Sequence, residues 1–110
     1  MSNVDHPSHY NIPGKKECIE QMVDSFGLEM VVSFCLMNAY KYLYRAGEKA
    51  DNPKEQDIEK AKWYFNWVHK QLKTNTQNFT ELRNFNLLRN AYLYIKLSLE
   101  AIDNTKEEHE

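Results

Sequence analysis

Two lysines, an arginine, an aspartate, an asparagine and a tyrosine recur in one stretch at spacings that would bring them together. Between Asn38 and Tyr64 the chain reads NAYKYLYRAGEKADNPKEQDIEKAKWY. This is the end of one helix, a glycine stop, a polar turn and the first half of a second helix. If the two helices pack antiparallel, Asn38, Lys41 and Arg45 face Asp57, Lys60 and Tyr64. Lys41 and Arg45 are one helical turn apart, and Lys49 follows beyond the glycine. Convergent cations of this kind suit phosphate, which arginine binds through two parallel hydrogen bonds and lysine as a point charge. Tyr42, Tyr44, Trp63 and Tyr64 supply ring faces on which a base can stack. The structural alternative is that the same charges pair with Glu48, Asp57 and Glu59 while the aromatics fill the core. Exposed pairs of that sort contribute only about 0.3–0.5 kcal/mol.

Phosphoryl transfer would require positioned positive charge across the transferred group. There is no GxxxxGK[ST] loop to cradle a triphosphate, no HExxH and no nucleophile elbow. Catalysis here would fall to Lys41, Arg45 and Asp57, with Lys60 adding phosphate charge and Glu17 or Asp57 serving as base or metal ligand. ATP, and with it Mg, would be the co-substrate of such a kinase.

These residues need helices to position them, and the composition favours helices. Of 110 residues, 42% are hydrophobic and 13% aromatic, with only three glycines and three prolines. The expectation is an all-α fold, a small bundle of about four helices behind an extended N-terminal arm, in a single domain. A formal charge of −2 and a pI of about 6.1 argue against bulk duplex nucleic acid as a partner. With no apolar segment at its start and no run of about 18 apolar residues, a soluble cytoplasmic chain without membrane contact is expected. Its small size makes a homo-oligomer the expected assembly. Cys18 and Cys35 read as core fillers rather than a disulfide pair.

Residues 1–16 carry turn formers and no periodicity. Within them His6, His9 and Tyr10 cluster as HPSHY. Tyr10 packing on the helices with solvated histidines is one reading, and an arm folded over the site with all three touching ligand is another. Two histidines without a third and fourth ligand do not define a zinc centre. Helices follow over 17–26, ended by Gly27, over 28–46, capped by Gly47, and over 53–73, begun by Asn52 as N-cap and Pro53 as first helical residue. The 28–46 helix is apolar nearly all round in its first half and is expected at the centre. On the third, Ile58, Ala61, Phe65, Val68 and Leu72 form the expected core seam. Residues 74–80 read as a polar linker whose Thr80 caps a fourth amphipathic helix over 81–103, followed by a fraying tail. That helix would complete a bundle or pair with its equivalent in a second subunit.

Four segments together, HPSHY, ECIE, NAYKYLYRAGEK and DIEKAKWY, resemble a family of small tailed-phage proteins, a domain of unknown function that includes the SaV-like proteins and members described as nucleotide kinases. The likeness runs from about Asp5 to Leu72 and leaves 74–110 as an addition. It implies a bacteriophage protein acting in the infected host cell, with a nucleotide ligand. Site residues carried over by position are His6, His9, Tyr10 and Glu17 from the first two motifs, Asn38, Lys41, Arg45 and Lys49 from the third, and Asp57, Lys60 and Tyr64 from the fourth. Tyr44 stands where the family usually has tryptophan, and Ala50 where a glycine is common. The activity so implied is deoxynucleoside monophosphate kinase without a P-loop. The alternatives are a non-catalytic protein that sequesters a nucleotide of host defence signalling, and a module that engages a host protein through its C-terminal helix.

Overall fold

The computed structural model describes residues 16–48 and 53–108. Among them it contains five helices and no strand: α1 (Cys18–Phe26), α2 (Leu28–Arg45), α3 (Lys54–Thr74), α4 (Thr76–Thr80) and α5 (Phe85–Glu108). The all-α expectation therefore holds. His6, His9, Tyr10, Lys49 and Asn52 lie outside the described residues.

Helix α1 starts at a capping box, in which Glu17 and Glu20 each accept from the other's backbone N–H. It stops at Gly27, whose φ of 90° suits a residue without a Cβ. Its N–H donates to Val23 O at 2.8 Å, which closes the last turn. The following helix, α2, is the centre of the molecule. Val31, Val32, Cys35, Leu36 and Ala39 are buried on it, and it touches α1, α3 and α5. Burying each of its valine and leucine side chains contributes about 1.5–3 kcal/mol. Gly47, at φ 83°, then turns the chain out of the helix.

The most extensive interface joins α2 to α3. Arg45 meets Asp57, Tyr42 meets Lys60, and the earlier Phe34 meets the later Tyr64. The pairing therefore runs in opposite directions along the two helices, as an antiparallel hairpin requires. The face of α3 turned inward carries the expected seam and extends it: Ala61 and Val68 are buried, Ile58, Phe65 and Leu72 are half-buried against the core, and Asp57 is buried with them. Small Ala61 lets the two helices approach, and the wholly buried Asp57 lies beside Arg45.

Four local expectations are corrected, the last being Cys18 as a core filler. Pro53 takes the N-cap position of α3, one residue later than expected. The stretch expected as a linker contains α4, which inserts Phe79 into the core with 1% of its surface exposed. Thr80 does not cap α5, because its hydroxyl donates back to Gln77 O at 2.9 Å and α5 begins only at Phe85. Cys18 is exposed, while Cys35 is buried and its thiol is pushed up to about 12 by burial, which leaves it inert.

Helix α5 continues to Glu108, through most of the expected fraying tail. Its stripe of Leu88, Tyr92, Ile95 and Leu99 is buried within the chain. The stripe therefore completes the bundle and is not free for a host partner. Two polar contacts tie α5 to α3, Lys62 Nζ to Asp103 Oδ1 at 3.0 Å and His69 Nδ1 with Tyr92 Oη at 2.6 Å. Phe65 stacks on Tyr92 beside the second. No described helix is long and apolar enough to cross a membrane.

Candidate functional site

The last two turns of α2 and the first three of α3 converge on the ring of Tyr42. Lys41 Nζ lies 4.5 Å from the ring centroid, the Arg45 guanidinium carbon 5.2 Å and Lys60 Nζ 5.4 Å. Three cations from two helices thus surround one aromatic side chain, whose electron-rich face attracts them. The Tyr42 ring stacks in turn on Tyr64, with centroids 6.0 Å apart and planes 10° from parallel. Trp63 and Phe34 meet Tyr64 edge-on. These contacts hold the platform rigid beneath the charges.

Tyr64 has its pKa raised, first by burial and then by Tyr42 and Cys35 beside it. Its hydroxyl therefore keeps its proton. Asp57 is wholly buried, and its Oδ1 lies 3.6 Å from Nη2 of Arg45, whose side chain is 31% exposed. The separation is that of an ion pair, beyond good hydrogen-bond length. Arg45 Nε is buried without a hydrogen-bond partner among the described residues. The alternative in which the charges pair with Glu48, Asp57 and Glu59 holds for Arg45 with Asp57, whereas Lys41 and Lys60 make no ion pair among the described residues and contact Tyr42.

Of the residues singled out in the sequence, Lys41, Arg45, Asp57, Lys60 and Tyr64 come together around Tyr42. Asn38 is half-buried on α2, one turn before Tyr42. Glu17 is at the start of α1, where it serves the capping box. His6, His9, Tyr10 and Lys49 fall outside the described residues. No group of three or more histidine, cysteine or carboxylate side chains suited to a metal ion occurs among the described residues. What sequence reasoning missed was the position of Tyr42, which it placed among stacking aromatics and not at the centre of the cations. The signal was present, since Lys41, Tyr42 and Arg45 stand within one turn of each other.

Such an arrangement can hold a doubly charged phosphate. Three cations are set against one buried carboxylate, an excess of positive charge that an anion would relieve. Arginine and the two lysines offer donors from different directions.

Comparison with known proteins places these residues in a shared region. A family described as a protein of unknown function (DUF3310) matches residues 4–66, which include the whole Tyr42 cluster and leave α4 and α5 outside. The chain is 38% identical over 64 residues to the Gene 1.7 protein of Enterobacteria phage T3, covering 57% of this chain and 39% of that protein. It is 35% identical over 65 residues to the Nucleotide kinase gp1.7 of Escherichia phage T7, covering 58% of this chain and 33% of that protein. The chain thus spans less than two fifths of the length of these curated relatives. No solved structure matches the chain significantly.

Proposed function

Since the chain belongs to the DUF3310 family, we propose that its Tyr42 cluster binds the phosphate of a nucleotide, and that the bound nucleotide is a nucleoside monophosphate accepting a phosphoryl group from ATP. The observation that carries the reading is the convergence of Lys41, Arg45 and Lys60 on one ring from two helices. The printed name of the phage T7 relative agrees with it.

The chemistry asks little of the protein beyond charge. A phosphate monoester, with its second pKa at about 6, is mostly a dianion at neutral pH. Its oxygen attacks the γ-phosphorus of ATP, the bond from that phosphorus to the β–γ bridging oxygen breaks, and two diphosphates result. No proton has to be removed from the acceptor. A buried Asp57 is therefore compatible with the reaction, acting as the residue that positions Arg45 and not as a base. Lys41 and Lys60 would neutralise the charge spread over the transferred group, and Tyr64 would offer its retained proton as a donor.

The test is to incubate the protein with ATP and a panel of nucleoside monophosphates and cyclic nucleotides, then to resolve free and heat-released nucleotides by ion exchange. A new diphosphate peak supports the kinase and names its acceptor. Loss of an unaltered nucleotide that returns on heating would replace catalysis with sequestration. No change in any lane would overturn the nucleotide reading.

A further inference from the structure

The sides of α2 and α5 turned away from the core each carry a row of exposed apolar residues among polar ones. On α2, Met30, Met37 and Tyr44 recur at intervals of seven, and Tyr40 stands three after Met37. On α5, Leu87 and Tyr94 are again seven apart, and Leu97 follows Tyr94 by three. All are exposed, Met37 by 66% and Leu97 by 63%. A seven-residue repeat with a second apolar position three further on is the seam by which helices pair. The two seams adjoin, because the Tyr40 and Tyr94 rings lie 5.9 Å apart.

We infer that this joint face of α2 and α5 is a dimer interface, occupied by the same face of a second copy of the chain. Two observations select a second copy. The first is self-likeness: both helices carry the same uncharged repeat, so a two-fold axis sets seam against seam without stranding a charge. The second is area. Aromatic side chains carry about 150–250 Å² each, and at these exposures the seven residues present on the order of 800 Å² of apolar surface, which is what each partner of a standard interface buries. The α5 half lies beyond the residues the family match covers. The joint face uses none of the three cations around Tyr42 and shares with the stacking rings only Tyr44, which neither test substitution touches.

Sedimentation equilibrium of the full chain tests it, with helicity followed by circular dichroism. The wild-type protein is expected at the mass of two copies, dissociating on dilution. Met37→Glu and Leu97→Glu, one on each helix and both at exposed positions that leave the core untouched, are each expected to weaken association about a hundredfold or more at unchanged helicity, because a carboxylate would be buried without a partner. A wild-type protein that is monomeric at every soluble concentration would overturn the inference, as would a dimer that survives both substitutions.

Discussion

Oδ1 of the wholly buried Asp57 lies 3.6 Å from Nη2 of Arg45, joining the start of α3 to the end of α2. The pair locks the hairpin at the end where the cations gather. Asp57 is wholly buried while Arg45 still reaches water, so removing the cation takes an opposite charge from a carboxylate in the core, whereas removing the carboxylate leaves a cation that can be solvated. Arg45→Ala is therefore expected to cost about 3 kcal/mol or more, and Asp57→Asn about half as much. The combined Arg45→Met, Asp57→Leu change should recover much of the loss. Urea unfolding of the four proteins checks the order, and equal costs for the two single changes would contradict it.

Tyr42 is the platform on which the three cations converge. Tyr42→Phe keeps the ring and should leave stability and nucleotide affinity close to wild type. Tyr42→Leu removes the ring face, worth about 0.5–1 kcal/mol per cation at partly exposed sites, and with it the stacking on Tyr64. Loss of about 1–2 kcal/mol in unfolding and a severalfold loss in affinity are expected from Leu alone. Indistinguishable Phe and Leu variants would show that the ring is only filler.

Stability should fall in alkali. The Cys35 thiol, ordinarily at 9.0, is pushed up to about 12 by burial, and burial also raises Tyr64 and Tyr92. Between pH 9 and 12 the unfolded chain has given up the Cys35 proton while the folded chain retains it. Unfolding then releases protons, so the folded state loses ground as pH rises through this window and is unaffected by these groups below it. Denaturant midpoints from pH 7 upward should be flat and then decline above about pH 9. Cys35→Ala should make the decline shallower.

Much of this architecture is legible in the sequence because it rests on long periodic segments. The apolar repeats of α2 and α5 and the glycines at 27 and 47 define the helices and their ends. The position of Asp57 across from Arg45 follows from the antiparallel hairpin, but its complete burial does not, because a charged residue beside an apolar seam gives no sign of it and the small Ala61 gives little weight to the stripe that continues through Asp57 and Val68. Phe79 was hidden for another reason, since a five-residue helix is too short to show a period and its neighbours are polar.

That hidden residue gives a further expectation. Phe79 is among the largest fully buried side chains and meets Phe85 edge-on at 6.3 Å. Phe79→Ala should cost about 3–5 kcal/mol, the range for emptying an aromatic site in a core. A cost below about 1 kcal/mol, the scale of ordinary surface changes, would return residues 74–80 to the status of a linker.

The central claim is that Lys41 and Lys60 hold a nucleotide's phosphate beside Tyr42. Calorimetric titration of nucleoside monophosphates and ATP into wild type, Lys41→Ala and Lys60→Ala addresses it directly. Each lysine change is expected to weaken binding about tenfold or more, the worth of one hydrogen bond to a charged group, while stability falls only by the lost ring contact, about 0.5–1 kcal/mol. Undiminished affinity in both folded variants, or no binding by the wild-type protein, would contradict the account.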